Sequence, residues 1–289
     1  AAEGLRSSAS HNGGGPPSVR LPDGIRNVWV DVGTAGRSDL EANLLLDPSL
    51  YLIGIEPTPH YARRMKSKLA RSSASERFTI VERACTQESG QSLTFYVHPQ
   101  QECNSLNPTN PDSPPIFGGD CVGTPPRAIT VQSLTLQELL LQLPPEMRVQ
   151  LLKVDVQGHE WPCVAGAFDQ LDRVDNIHLE VQDLPSNTTS MYEGQLSLGG
   201  MDEHLRGSGF FRQYCEVNNH QIREMNCLYT RRGRAPLWVT GRPQQSLPAV
   251  KFDMDAPPSF EGVTYVAKFL TSKVPGAQVG RLRRLGMLN

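Results

Sequence analysis

Acidic side chains end several short apolar runs of this 289-residue sequence, where they are placed to do chemistry. Asp31 lies near the end of the first run, and Glu56 directly follows the second. Asp155 ends a later run, and Glu180 lies in the one after it. A carboxylate can accept a hydrogen bond from a hydroxyl, bind a cation or take a proton. If the runs are parallel strands, their carboxyl ends share one edge of a sheet, so we expect these acids to line one ligand site.

A glycine turn, Gly33-Thr34-Ala35-Gly36, follows the first acid. Such a turn lets backbone N–H groups approach a ligand closely. Glu56 lies 23 residues beyond Gly33, near the offset of about 20 residues at which an acid binds both ribose hydroxyls of a nucleoside cofactor. The second glycine of the Gly-x-Gly-x-x-Gly pattern for a dinucleotide is absent. S-adenosylmethionine carries no phosphate, and an acid before the turn can face its cationic methionine end, so we favour it over NAD.

Short apolar runs alternate with helical patterns along most of the chain. Strands are predicted at 28–32, 51–55, 78–81, 151–155 and 176–181, and helices at 38–46, 61–69, 135–143, 161–171 and 201–206. Capping boxes open the first and third helices, at Ser38 to Glu41 and Thr135 to Glu138. An exposed strand at 92–97 and an antiparallel hairpin of 210–217 with 222–231 are also expected. The alternation predicts an α/β fold, a Rossmann-like doubly wound, mostly parallel sheet with a C-terminal antiparallel hairpin.

Composition divides the chain into three parts and excludes two classes of protein. Residues 1–24 are predicted to be a flexible leader, 25–232 the folded domain with a lid or substrate loop at 98–127, and 233–289 an irregular extension that wraps the domain or docks a protein partner. The formal net charge of −2 argues against a dedicated nucleic-acid binder. No run approaches the roughly 20 apolar residues that span a bilayer, so no transmembrane segment is predicted.

The six cysteines leave the compartment open. No Cys-x-x-Cys occurs, and Cys103 and Cys121 flank a loop where they either pair in an oxidising lumen or stay reduced. Asn187-Thr188-Thr189 is a glycosylation sequon that only a secreted chain could use. A secretory lumen or an organelle is slightly favoured over the cytoplasm.

Four motifs occur here in the order and spacing of the FkbM family of methyltransferases. They are Trp29-Val30-Asp31-Val32-Gly33, Ile53-Gly54-Ile55-Glu56-Pro57, Asn104-Ser105-Leu106 and Leu152-Lys153-Val154-Asp155-Val156-Gln157-Gly158-His159-Glu160. Over residues 27–232 the chain resembles that family, although its glycine turn is one residue tighter and Gln157 replaces the usual glutamate. The resemblance implies an S-adenosylmethionine-dependent O-methyltransferase with a Rossmann-like core. It also implies that the acceptor is a hydroxyl of a carbohydrate or related small molecule.

Roles follow for the residues at the predicted strand ends. Cofactor binding is assigned to Asp31, Gly33, Thr34, Gly36, Glu56, Ala84 and Asp155, catalysis to His159, Asp155 and Glu180, and substrate binding to Asn104, Ser105 and Glu160. His159 is the first candidate for the base because it titrates near neutrality, and the alternative is a solvent-exposed histidine at a helix start. Asp155 and Glu180 could also bind a divalent cation as oxygen ligands, but two acids do not make a metal site, so no metal is assigned. Lys153, inside an apolar strand, is expected either to snorkel or to pair with an acid rather than to act in catalysis.

Two other functions stay open for this sequence. A catalytically degenerate subunit could keep the fold and serve as a scaffold in a larger assembly. Deleting 235–289 would then abolish assembly, whereas an active methyltransferase would keep its turnover after the same deletion. A nicotinamide-dependent dehydrogenase would use Glu56 for its dinucleotide, but the missing second glycine argues against it.

Overall fold

The computed structural model describes residues 18–113, 121, 123–185, 188–219 and 223–237. The C-terminal extension from 238 onward, residues 1–17 of the predicted leader and Asn187 of the sequon therefore lie outside the described residues. Val19 and Leu21, which the sequence places in the leader, pack against the core instead. The Val19 N–H also donates to Gln142 Oε1 at 3.0 Å. The folded domain thus begins before residue 25.

The described strands form one large sheet and one small sheet. The strands are β1 (Asn27–Val32), β2 (Leu50–Ile55), β3 (Phe78–Val81), β4 (Ala84–Cys85), β5 (Ser92–Val97), β6 (Arg127–Leu134), β7 (Val149–Val154), β8 (Asn176–Gln182), β9 (Phe210–Asn219) and β10 (Glu224–Arg231). The large sheet has the order β3-β2-β1-β7-β8-β10-β9, and the small sheet has the order β4-β6-β5. The helices are α1 (Glu41–Leu46), α2 (Pro59–Leu69), α3 (Leu136–Leu140), α4 (Glu160–Ala165) and α5 (Leu198–Gly207).

The large sheet reverses its strand order at β1. From β1 the chain runs outward through β2 and β3, and it later returns to pair β7 with the other side of β1, all in parallel. β10 is antiparallel to both β8 and β9. These pairings confirm the doubly wound, mostly parallel sheet with a C-terminal antiparallel hairpin. Ligands bind in such folds beyond the carboxyl ends of the strands at the reversal, here between β1 and β7.

Both faces of the large sheet are buried, which explains why its strands are apolar throughout. In β1, Val28, Val30 and Val32 face one hydrophobic cluster, and Trp29 faces the other. The two clusters hold the helices against opposite faces of the sheet. Because the centre is packed on both sides, polar side chains reach a ligand only at the strand ends.

Several predicted boundaries differ from the structure. α1 begins at Glu41 without a side-chain cap, because Ser38 Oγ donates to Asp31 and accepts the Leu40 N–H instead. The capping box predicted at Ser38 to Glu41 is therefore wrong. The helix predicted at 161–171 divides into α4 and a 3₁₀ helix at Phe168–Arg173. β6 was not predicted, and the described part of the 98–127 loop is tied to β5 by a bridge between Tyr96 and Ser105. Within the described ranges, no helix is long and apolar enough to cross a bilayer.

All six cysteines are paired in disulfides. Cys85 bonds Cys163, Cys103 bonds Cys121 and Cys215 bonds Cys227. For Cys103 and Cys121 the sequence left open whether they pair or stay reduced, and the structure shows the pair. The Cys85–Cys163 and Cys215–Cys227 pairs were not predicted. Sequence spacing alone cannot give connectivity, because six cysteines allow 15 pairings.

The start of α3 confirms one half of the second predicted capping box, the hydrogen bond made by the Thr135 side chain. Thr135 Oγ1 accepts the Glu138 N–H at 3.1 Å. We expect Thr135→Ala to lower the free energy of unfolding by about 1 kcal/mol, since the N–H loses its acceptor at the helix start. Urea unfolding measures the change. Thr135→Ser keeps the hydroxyl and should lie close to the native value, so equal losses in both variants would contradict the capping role.

Candidate functional site

A cavity of about 610 Å³ lies beyond the carboxyl ends of the central strands. Gly33, Thr34 and Glu56 line one side of it, and Asp155 and Glu180 line the other. The acids predicted at successive strand ends therefore do meet at one edge, except for Asp31, which does not line the cavity. Further lining residues are Arg37, Asp39, Ala84, Gln100, Glu102, Asn104, Lys153, Gln157, His159, Asn218, Glu224 and Asn226.

Gly33 allows the ends of β1 and β7 to touch. A Cβ on Gly33 would overlap the carbonyl oxygen of Asp155 and lie 2.8 Å from its carbonyl carbon, and the φ of Gly33 is +85°. The neighbouring Asp155 N–H donates to Val32 O at 3.0 Å. The requirement for glycine here is thus a packing requirement at the strand reversal. Gly36 also has a positive φ, but it packs against Tyr61 and does not line the cavity.

Glu56 joins the glycine turn to the end of β2. Its Oε2 accepts the Ala35 N–H at 2.7 Å, and its Oε1 accepts the Thr58 N–H at 2.8 Å. The side chain is buried, and burial raises the pKa of Glu56 in spite of these N–H bonds. Its Oε2 also accepts the Thr34 hydroxyl at 3.4 Å, so hydroxyls that enter from the cavity would compete with Thr34 for this carboxylate.

Lys153 forms a buried ion-pair network between β1 and β7. Its Nζ lies 3.2 Å from Asp155 Oδ2, 3.4 Å from Asp39 Oδ2 and 3.8 Å from Asp31 Oδ1. Burial lowers the pKa of Lys153, but the three carboxylates outweigh that effect and raise it above its ordinary value. Of the two alternatives expected for this lysine, the structure shows the pairing with acids. Asp31 is buried in this network, where burial raises its pKa, and its Oδ1 contacts Lys153, which lines the cavity.

His159 is held by hydrogen bonds at both ring nitrogens. Nδ1 lies 2.7 Å from Asn107 Oδ1, and Nε2 lies 3.1 Å from Thr86 Oγ1. Because the Asn107 amide nitrogen donates to Gly158 O and Glu193 O, its oxygen faces His159 and Nδ1 is the donor. Nε2 then accepts from the Thr86 hydroxyl. Burial lowers the pKa of His159 to about 4, so the ring is neutral and its lone pair is in use.

Two carboxyl groups face each other at the ends of β7 and β8. The Gln157 amide bridges them, since its Nε2 donates to Asp155 Oδ1 at 3.1 Å and also to Glu180 Oε2. Burial and the charges of Asp155 and Glu224 raise the pKa of Glu180 well above its ordinary value. Burial also raises the pKa of Asp155, but Lys153 and a hydrogen bond from Gln157 bring it below its ordinary value. Of the two carboxyls, Glu180 therefore binds a proton more readily and Asp155 ionises more readily.

The three residues predicted to bind substrate have different positions. Asn104 lines the cavity, and its Oδ1 accepts the His98 N–H at 2.8 Å. Ser105 is fully buried and donates to Gln157 O at 2.6 Å. Glu160 Oε1 accepts the N–H groups of Val156 and Gly158, and burial raises the pKa of Glu160 to about 7. Ser105 and Glu160 thus shape the loop after β7 and do not line this cavity.

The β9–β10 hairpin contributes lining residues that the sequence reasoning missed. Asn226 pairs with Glu180 across β10 and β8, so its side chain lies on the same face. Asn218 Nδ2 donates to Glu180 Oε1 and to Glu224 Oε2, both at 2.7 Å. The signal in the sequence was the cluster of Asn and Glu at the hairpin tip, but locating it needs the register between β8 and β10. Within the described ranges no group of three or more His, Cys, Asp or Glu side chains is placed to hold a metal ion.

Comparisons with known proteins give a family match and several similar structures. Magnesium protoporphyrin IX methyltransferase from Synechocystis PCC 6803, with bound SAM, is 11% identical over 72% of this chain and 70% of that chain, with a TM-score of 0.38. A SAM-dependent methyltransferase from Aquifex aeolicus is 8% identical over 71% and 82%, with a TM-score of 0.38. TrmK from M. capricolum, in complex with S-adenosyl-homocysteine, is 7% identical over 72% and 63%, with a TM-score of 0.39.

No curated protein sequence matches the chain. The methyltransferase FkbM domain, in contrast, matches residues 31–214, which include the glycine turn, Glu56, the loop after β7 and Glu180. This match spans more than half of the sequence and contains both sides of the cavity. The chain therefore belongs to the FkbM methyltransferase family.

Proposed function

We propose that this chain is an S-adenosylmethionine-dependent O-methyltransferase that acts on a hydroxyl of a carbohydrate or related small molecule. One observation carries the proposal: Glu56 and the Asp155–Glu180 pair face the same cavity from opposite sides of the strand reversal. Glu56 suits the ribose hydroxyls of a nucleoside cofactor, and the carboxyl pair suits the hydroxyl of an acceptor. The family membership supports methyl transfer as the reaction.

The glycine-turn side of the cavity fits the methyl donor. Glu56 would hold the ribose, Ala84 would border the base, and the backbone of the Gly33 turn together with Asp155 would hold the methionine end. Among the described lining residues six carry carboxyl groups, whereas Arg37 and Lys153 are basic. An excess of negative charge in a partly enclosed cavity attracts a cation. S-adenosylmethionine carries a net positive charge that its demethylated product lacks. The negative charge of the cavity therefore favours binding of the donor over binding of the product.

The residues around Asp155 would position the acceptor and receive its proton. When bound, S-adenosylmethionine supplies an electrophilic methyl group on a sulfonium. Methyl transfer then depends on aligning the acceptor oxygen and removing its proton. The ionised Asp155 carboxylate is better placed for that step than His159, whose Nε2 lone pair already accepts from Thr86. Carboxyl and amide groups from β8 and β10 can hydrogen-bond the remaining hydroxyls of a polyol.

We expect Glu56→Ala to weaken binding of S-adenosylhomocysteine by about 1–3 kcal/mol, because the hydrogen bonds between the carboxylate and the ribose are lost. Isothermal titration calorimetry measures the affinity, and circular dichroism checks the fold, since Ala35 and Thr58 also lose their acceptor. Glu102→Ala removes an exposed carboxylate that also lines the cavity and should change the affinity less than about threefold. Equal effects in the two variants would contradict the ribose assignment.

An acceptor screen tests the proposed reaction. The chain is incubated with S-adenosylmethionine and a panel of neutral polyols, amines and carboxylic acids, and both S-adenosylhomocysteine and the methylated product are measured by mass spectrometry. We expect turnover with polyols, and the methyl group on an oxygen. Turnover confined to amines or to carboxylic acids would contradict the proposed acceptor class. Cofactor binding without transfer to any acceptor would favour the scaffold instead.

A further inference from the structure

Gln157 occupies an unusual place in the loop after β7. Its backbone has a φ of 56°, the left-handed region that few residues other than glycine adopt. Its carbonyl oxygen accepts the Ser105 hydroxyl at 2.6 Å. The side chain lines the cavity between the two facing carboxyl groups. A strained position that the surrounding contacts hold in place commonly serves a functional site.

The side-chain amide of Gln157 donates hydrogen bonds from its nitrogen to two carboxyl groups and accepts one at its oxygen from a tyrosine. Its Nε2 donates to Asp155 Oδ1 at 3.1 Å and also to Glu180 Oε2. Its Oε1 lies 3.3 Å from the Tyr192 hydroxyl, which also lies 3.1 Å from Cys103 O. A carboxylate could accept from Tyr192 but could donate to neither Asp155 nor Glu180. The glutamine amide therefore donates to the two carboxyls and accepts from Tyr192 at the same time. A glutamate in its place could do both only after binding a proton.

We propose that Gln157 is a positioning residue whose amide holds the Asp155 and Glu180 carboxyls together as the pair that receives the acceptor's proton. This inference rests on the proposed function. In the step it serves, the acceptor O–H bond breaks while the oxygen–methyl bond forms. The proton passes to the Asp155 carboxylate, and the electron pair of the carbon–sulfur bond stays on sulfur. Gln157 itself neither gains nor loses a proton.

The surroundings of Gln157 are mostly acidic, so a carboxyl in its place would hold a proton strongly. Besides Asp155 and Glu180, the charged groups that act on this cluster are Lys153 of β7, Glu160 of α4 and Glu224 of β10. Tyr192 and Asn218 face it as neutral groups. Burial and these carboxyls would raise the pKa of a glutamate at position 157 above its value in the unfolded chain. In its protonated form that glutamate could again donate one hydrogen bond.

The variant Gln157→Glu tests the hydrogen-bond role without any assay of activity. A carboxyl whose pKa is higher in the folded than in the unfolded chain favours folding while protonated, and that stability is lost as the pH rises through the folded pKa. We therefore expect the melting temperature of the variant, relative to the native chain, to be about 5 °C lower at about pH 8 than at about pH 5. Gln132→Glu, at an exposed position on β6, should show no such difference. An equal shift in Gln157→Glu at both pH values would overturn the inference.

The same variant separates positioning from binding. With a polyol acceptor, we expect kcat to fall about tenfold at about pH 8 and to return to within about threefold of the native value at about pH 6. The affinity for S-adenosylhomocysteine should stay within about threefold of the native value. A kcat that does not recover in acid, or a loss confined to cofactor affinity, would overturn the positioning role. If the native chain methylates no acceptor, the proposed function fails, and the melting temperatures still decide whether Gln157 holds the carboxyl pair.

Discussion

Replacing Gly33 with alanine is expected to lower the free energy of unfolding by at least about 3 kcal/mol and to abolish binding of S-adenosylhomocysteine. The added Cβ would overlap the Asp155 carbonyl oxygen, and the contact is with backbone, so no side-chain rotation relieves it. The strands β1 and β7 would have to separate at the point where the Asp155 N–H bonds Val32 O. That separation would also displace the glycine turn from Glu56. Urea unfolding and calorimetric titration measure the two effects.

Gly90→Ala is the matched control for Gly33→Ala. Gly90 also has a positive φ, at +75°, but a Cβ there would meet nothing within 4 Å. Alanine at this position should therefore cost only the backbone penalty of the left-handed region, about 1–2 kcal/mol, with cofactor binding intact. If the two variants lose the same stability, the close approach of β1 and β7 at Gly33 is not what requires glycine.

The second large effect is expected for Lys153→Met. This change leaves Asp31 and Asp155 buried without their cation, and removing one partner of a buried ion pair costs about 3–5 kcal/mol. Without Lys153, burial raises the folded-state pKa of both aspartates above their unfolded values. Protonation then favours the folded state, so the deficit should be largest at about pH 8 and smaller at about pH 5. Urea unfolding at the two pH values measures the difference.

Lys68→Met provides the comparison for Lys153→Met. Lys68 pairs with Glu41 at 2.7 Å; the Lys68 side chain is 42% exposed, whereas that of Glu41 is 6% exposed. Because water screens the lysine end of this pair, we expect its loss to cost about 1 kcal/mol, less than the loss of the buried Lys153. A loss of stability in Lys153→Met no larger than that in Lys68→Met would contradict the ion-pair network as the connection between β1 and β7.

The fold could be predicted from the sequence because it depends on local patterns. Both faces of the large sheet are covered, so its strands are continuous apolar runs, and the helices between them have their own period. Acids at the ends of those runs had to meet at one edge once the strands were parallel. The same patterns predict that Glu56, Asp155 and Glu180 share one site, and all three line the cavity.

The rest of the site depends on contacts between residues far apart in the sequence. Ser38 matched a capping box, but its hydroxyl is taken by Asp31, which no local pattern reveals. His159 was predicted as a base from its ordinary pKa, whereas Asn107 and Thr86 occupy both ring nitrogens. Asn226 and Glu224 enter the cavity only through the register of β10 on β8. The disulfide partners were equally unpredictable, because they join elements that meet only in the folded domain.

Calorimetric titration of the purified chain with S-adenosylmethionine and S-adenosylhomocysteine, with NAD as the control, tests the central claim most directly. The cavity described above predicts binding of both methyl-cycle compounds at micromolar dissociation constants and no binding of NAD. Its negative charge further predicts that the cationic donor binds more tightly than the neutral product, and that this preference weakens as salt is added. A folded chain that binds neither compound, or that binds NAD instead, would contradict the assignment of this site.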